Sequence, residues 1–194
     1  MNFVKFAEQL GKSDLCVWPN FLSSESLLEI RTDLETIQSD QGFQRAGTAQ
    51  GKSKEVRDLI RRDEVHWLER ATANPTQTKL WVLLDSLKQA FNRTLYLGLL
   101  EFEGHYAAYP AGGFYKRHLD SFQKDNARVI SLVLYLNHNW EPQNGGMLRI
   151  YQGNSHTDIQ PVGGTLVCFL SQESEHEVLL NHVKRMSFTG WFKR

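Results

Sequence analysis

The hydrophobic pattern of this chain changes period near residue 95. Upstream, apolar residues recur at helical spacing: Phe3, Phe6, Ala7 and Leu10 form one stripe, and Leu27, Ile30, Leu34 and Ile37 form another. Ser23 or Ser24 stands where an N-cap belongs, with a side-chain oxygen that can accept an orphaned backbone N–H. Leu80, Leu83, Leu84, Leu87 and Phe91 make a further stripe behind Asn74-Pro75, a capping residue followed by a ring whose fixed φ suits the first helical position. The last two stripes predict helices that cover one side of a sheet. Between them, the polar, glycine-containing run from Gln41 to Trp67 has few periodic apolar residues and predicts a long loop or mobile ribbon, which in a compact domain is usually functional or disordered.

Downstream, short segments of strand character alternate with turn residues. LLEFEGHYAAY, FYKRHLD, ARVISLVLYLN, MLRIYQ, the polar stretch around Thr157 to Gln160, TLVCFLS, HEVLL and KRMSFTGWF give eight strands, which predict an antiparallel barrel or jelly roll. Asn144-Gly145-Gly146 marks a turn, since these residues tolerate positive φ. The expected architecture is mainly β with flanking helices: one domain over residues 1–194, with helical support in 1–95 and a jelly-roll core in 96–194.

Composition narrows the function classes. A chain of 194 residues suits one domain, because a domain of this size removes roughly 70% of its unfolded surface from water. Lys+Arg and Asp+Glu balance at 22 each, so no global positive field gathers nucleic acid or an anionic membrane. The N-terminal stripe is interrupted by charges, unlike a signal peptide, and no stretch is apolar enough to span a bilayer. Cys16 and Cys168 are far apart, and Cys168 sits in an apolar run, which predicts buried reduced thiols and a cytoplasmic location.

The candidate chemistry starts in FYKRHLD. Side chains alternate along a strand, so His118 and Asp120 project to one side and Leu119 to the other. Alone, such a pair is more often an exposed polar strand end, and a third ligand decides between the two. His176, at the start of a later strand, fits. His66, His105, His138, His156 and His182 are expected in surface or structural roles. Two imidazoles and one carboxylate suit non-heme Fe(II) and leave coordination positions open. On the last strand, alternation groups Arg185, Ser187, Thr189 and Trp191 on one face, and a guanidinium among apolar neighbours there requires an anion, either a ligand carboxylate or an internal acid.

His118-x-Asp120, His176 and Arg185, together with IRRDEVHW, AAYPAGGFYKRHLD, RVISLVLYLNHNW, GGMLRIY and RMSFTGWF, resemble the Fe(II)- and 2-oxoglutarate-dependent dioxygenases of the prolyl 4-hydroxylase superfamily. The likeness is greatest to the Egl-nine type, the hypoxia-inducible-factor prolyl hydroxylases and their bacterial relatives, and it covers Leu59 to the C-terminus. It implies a double-stranded β-helix in which His118, Asp120 and His176 bind iron and Arg185 binds the distal carboxylate of 2-oxoglutarate, with O2 as co-substrate and ascorbate as an accessory. By the same likeness Tyr135 donates to that carboxylate and Tyr109 lies near the chelating end. Leu148, Val178, Thr189 and Trp191 would line the pocket, although Leu148 and Val178 also suit plain core packing. Asp63, Trp67 and Arg128 would meet a protein or peptide substrate near the Gln41 to Trp67 loop, with Asp63 pairing with Arg128 when the loop closes. The chain departs from the animal enzymes in having Arg61-Arg62-Asp63 for Arg-Gly-Asp and in ending at Arg194 without their C-terminal helix. The activity expected is hydroxylation of a protein, at a prolyl residue, with release of succinate and CO2. The alternatives are hydroxylation of a free amino acid or small metabolite, and a non-catalytic metal-binding jelly roll that serves as an interaction module.

Overall fold

The computed structural model describes residues 2–47, 58–120 and 127–194. The order of elements among them is α1 (Phe3–Ser13), β1 (Leu15–Trp18), α2 (Ser24–Ser39), β2 (Gln44–Arg45), β3 (Glu64–Leu68), α3 (Pro75–Leu95), β4 (Glu101–Tyr109), β5 (Tyr115–His118), β6 (Arg128–Tyr135), β7 (Leu148–Gln152), β8 (Ser155–Ile159), β9 (Leu166–Leu170), β10 (His176–Val178) and β11 (Arg185–Lys193). The helices start where the sequence places their caps. Ser23 accepts from the Ser26 N–H, and Asn74 and Gln77 cap each other reciprocally in front of Pro75.

Two antiparallel sheets face each other. The larger runs β1-β9-β6-β11-β4-β3-β2 and the smaller β5-β10-β7-β8, so the eight strands expected from the sequence form a jelly roll. Strand alternation divides the apolar residues between two cores. Phe6, Leu10, Ile30, Leu34, Leu84 and Phe91 of the helices pack on Tyr106, Ile130, Leu132, Leu134, Phe188 and Phe192 of the larger sheet. That sheet's other face sets Ala107, Tyr109, Val133, Tyr135, Val167 and Phe169 against Leu148, Ile150 and Val178 of the smaller one. Gly104 and Gly190 lie opposite each other on β4 and β11 because the Phe102 and Phe188 rings occupy the space a Cβ would take.

The polar segment from Gln41 to Trp67 is not a loop throughout. Gln44–Arg45 and Glu64–Leu68 extend the larger sheet beyond β4, with Trp67 opposite His105, while residues 48–57 lie outside the described residues. β3 buries only Val65 and Leu68, so its alternation is too brief to stand out from a polar loop. The four-residue β1 escapes sequence reading for the same reason, although it pairs with β9 along its whole length.

Candidate functional site

The larger sheet presents its inner face to the smaller one in ordered rows. Arg185 on β11 lies opposite Tyr109 on β4, Ser187 between Ala107 and Tyr135, Thr189 between His105 and Val133, and Trp191 between Glu103 and Ser131. Arg185, Thr189 and Trp191 line a cavity of about 730 Å³ between the sheets, whereas Met186, Phe188 and Phe192 of the same strand join the helical core. The alternation expected for β11 is the one observed.

His118, Asp120 and His176 converge on this cavity, with one ligand-type atom from each lying within 4.8 Å of the others. The two histidines are direct cross-strand partners on β5 and β10, with ring centroids 4.2 Å apart. Each ring is oriented by its own backbone: His118 Nδ1 bonds the Lys116 carbonyl at 2.7 Å and His176 Nδ1 the Ser174 carbonyl at 3.0 Å. A carbonyl can only accept, so both Nδ1 atoms carry a proton, and both Nε2 atoms face Asp120 at 3.6 and 3.5 Å. Tyr115 stacks flat on His118 at 3.6 Å, and Phe169 sits 4.6 Å from His176.

The electrostatics suit a divalent cation. Burial pushes the pKa of His176 down to about 4, so the ring is neutral at pH 7 with its lone pair free. Burial by itself would raise the Asp120 carboxyl, but His176, His118 and the Ser131 hydroxyl together hold it well below the usual range. Ser131 Oγ donates to Asp120 Oδ2 at 2.7 Å and is itself 2.9 Å from Ser171 Oγ. Two imidazole nitrogens and one ionised carboxylate could therefore hold a metal that accepts mixed N and O ligands.

Arg185 is 1% exposed, and Gly146 explains its placement. The Asn144-Gly145-Gly146 turn takes positive φ at both glycines, and the Gly146 carbonyl accepts from Arg185 Nε at 2.9 Å. The turn is thus structural and also fixes a site residue. Tyr109 and Tyr135 flank the guanidinium at 5.1 and 5.2 Å. No carboxylate among the described residues forms an ion pair with Arg185, and the Tyr135 hydroxyl is buried without a partner. The internal salt bridge that could have accounted for this arginine is absent among those residues, and a buried guanidinium without one suits an anionic partner. Leu148 and Val178 both line the cavity and join the inter-sheet core, so packing and lining are one role here.

The rim departs from expectation. Asp63 is buried and forked by Arg61 at 2.7 and 2.5 Å, and Arg61 lies over the Tyr115 ring. Arg128 is held by Glu103 at 2.8 Å and stacks over Trp191 at 3.6 Å. The Asp63–Arg128 pair is therefore not formed, because each charge has a nearer opposite charge. Trp67 is 48% exposed and lines the cavity beside Trp191. Of the histidines expected outside the ligand set, His138, His156 and His182 are exposed and His66 bonds the Gly42 carbonyl. His105 instead lines the cavity.

A jelly roll that gathers two imidazoles, a carboxylate and an arginine without a carboxylate partner among the described residues around one cavity has the make-up of a metal-dependent oxygenase. Comparison with known proteins narrows the class. Residues 104–193 match the family described as the 2OG-Fe(II) oxygenase superfamily. A Pseudomonas putida prolyl-4-hydroxylase structure is 34% identical with a TM-score of 0.89, covering 100% of this chain and 99% of that one. The chain belongs to the 2OG-Fe(II) oxygenase superfamily, whose cofactor and co-substrates are Fe(II), 2-oxoglutarate and O2. A Trichoplax adhaerens prolyl hydroxylase, solved with a hypoxia-inducible-factor peptide, is 28% identical with a TM-score of 0.86, over 97% of this chain and 87% of that one. Human prolyl hydroxylase EGLN3 is 37% identical over 91 residues, which are 44% of this chain and 38% of that protein, so the chain spans well under half of that relative's length.

Proposed function

We propose that the protein hydroxylates a prolyl residue of a protein substrate, consuming 2-oxoglutarate and O2 and releasing succinate and CO2. The observation that carries the proposal is the buried Arg185, without a carboxylate partner among the described residues, in the same cavity as the His118, Asp120 and His176 cluster. The full-length likeness to a bacterial prolyl-4-hydroxylase supports the choice of proline.

In this proposal His118, Asp120 and His176 hold the iron through their free Nε2 lone pairs and the Asp120 carboxylate. Iron, when bound, supplies the oxidising chemistry that O2 and 2-oxoglutarate make possible. Arg185 forks onto the far carboxylate of 2-oxoglutarate, and Tyr135, whose pKa burial pushes up to about 12, stays protonated and donates to the same group. Tyr109 borders the chelating end, while Leu148, Val178, Thr189 and Trp191 exclude water from the reacting centre. Ala46, Gly47, Val65 and Trp67 bring β2 and β3 to the cavity, which supports a path for the peptide along this rim. The exposed Trp67 and the Trp191 ring offer flat apolar faces to a pyrrolidine ring, and Asp63 and Arg128 fix that rim through Arg61 and Glu103.

The whole of 1–194 is proposed as one catalytic domain. We further propose a cytoplasmic setting, supported by Cys16 and Cys168, which face each other across β1 and β9 as free thiols. No described helix is long and apolar enough to cross a membrane. Ascorbate is proposed as the reductant that keeps the iron ferrous. The test is mass spectrometry of cell extract incubated with enzyme, Fe(II), 2-oxoglutarate and O2. Peptides that gain one oxygen at proline are expected. Oxygen gain confined to free amino acids or metabolites would favour the small-molecule alternative, and absence of succinate with intact 2-oxoglutarate binding would favour the interaction module.

A further inference from the structure

His105 is a buried imidazole that the metal cluster does not use. It is 5% exposed, lines the cavity, and its Nδ1 is buried without a hydrogen-bond partner. Its place is set by register: Trp67 lies opposite on β3 and Thr189 opposite on β11. The Trp67 ring meets it edge-on at 4.8 Å and the Trp191 ring at 5.5 Å. The charged groups around it are Asp63, Arg61 and Arg128, and each is engaged elsewhere, Asp63 with Arg61 and Arg128 with Glu103. Burial pushes its pKa down to about 4, so at neutral pH the ring offers one N–H and one lone pair. An apolar side chain would fill this wall at lower cost, because a buried polar group without a partner forfeits its hydration.

The ligand that answers such a group follows from the chemistry of proline. A prolyl residue has no backbone N–H, so the polar backbone atoms it carries into a cavity are carbonyl oxygens, which need donors. A free amino acid would instead bring an ammonium and a carboxylate, and a neutral imidazole neutralises neither. Tyr135 lies one row away from His105 and Arg185 two rows away, at the other end of the β11 face. We propose that His105 is a substrate-positioning residue whose ring N–H donates to a backbone carbonyl oxygen next to the target proline, at the wall formed by Trp67 and Trp191. This rests on the prolyl hydroxylase reading above and makes the site selective for proline within a chain.

The test uses the Fe(II) enzyme with 2-oxoglutarate and the capped peptide acetyl-Ala-Pro-Ala-amide, following succinate release in wild type, His105→Phe and His105→Gln. His105→Phe keeps a ring but offers no N–H. It should raise KM for the peptide about 2- to 10-fold, the range for one neutral hydrogen bond, with kcat and the KM for 2-oxoglutarate changed far less. His105→Gln, which offers an N–H, should recover part of the loss. The melting temperature of ligand-free His105→Phe should equal or exceed that of wild type, whereas a purely structural histidine predicts a lower one. Equal peptide KM values in wild type and His105→Phe would overturn the inference while leaving the hydroxylase reading intact. A rise confined to the KM for 2-oxoglutarate would overturn it too, by assigning His105 to the co-substrate. If the peptide does not stimulate the wild type, prolyl recognition and the inference fail together.

Discussion

At the scale of single residues, Arg185 and the two buried histidines carry the most weight. In the proposed function, truncating Arg185 would leave a desolvated 2-oxoglutarate carboxylate without its fork, a loss of about 2–5 kcal/mol. Arg185→Ala should therefore weaken 2-oxoglutarate binding roughly 30-fold to a few thousand-fold in an anaerobic titration, with Arg185→Lys recovering only part. Unchanged affinity with a lowered melting temperature would mean a structural arginine. The histidines set the pH dependence of the metal-free protein. His105 and His176 have folded pKa values of about 4, below the ordinary 6.5, so between those values the unfolded state binds more protons. Stability should be complete above about pH 6.5 and fall as pH drops towards 4, by roughly 3 kcal/mol per histidine. Urea titrations at pH 7.5 and pH 4.5 should show this loss, and His105→Phe should abolish close to half of it. Arg185, His118, Asp120 and His176 were legible because strand alternation and residue type are local facts. Ser131 was less so: a lone hydroxyl in VISLVLY signals a buried partner but does not identify Asp120. That His105 lines the cavity depends on β3 pairing with β4, which local pattern does not reveal.

At the scale of elements, helix α3 was readable from its cap and stripe, but its attachment was not. Asp33 on α2 accepts from Asn74 at 2.6 Å, from Gln77 at 3.0 Å and from the Tyr106 hydroxyl of β4 at 2.7 Å. One carboxylate thus bolts α2, the start of α3 and the strand next to the cavity together. Asp33→Ala should cost about 1–3 kcal/mol by leaving partly buried donors unpaired. Chemical denaturation should register that loss, while Fe(II) affinity of the folded protein stays at the wild-type value. A fall in metal affinity as large as the fall in stability would show that β4 transmits the change to the site. In sequence, Asp33 is simply a polar residue on a helix, because its partners are 41, 44 and 73 positions away. Strands β1 to β3 escaped for a related reason: short strands at or next to a sheet edge draw their definition from pairing, not from pattern.

At the scale of the molecule, two sheets divide the labour. The smaller sheet contributes His118 and His176, the larger contributes Arg185, Tyr109 and Tyr135, and Ser131 of the larger sheet braces Asp120. The cavity exists only where the sheets face each other, so the His118 to His176 register, 58 positions apart, had to be observed. The central claim is that this shared site is an iron-dependent oxygenase centre. Succinate formed from 2-oxoglutarate in air, with Fe(II) and a prolyl peptide, measured for wild type against Asp120→Ala, tests it most directly. The account predicts succinate in step with oxygen gained by the peptide for wild type, and neither product above background for folded Asp120→Ala, which retains two imidazoles but no anionic ligand. Equal turnover by the two proteins would contradict it.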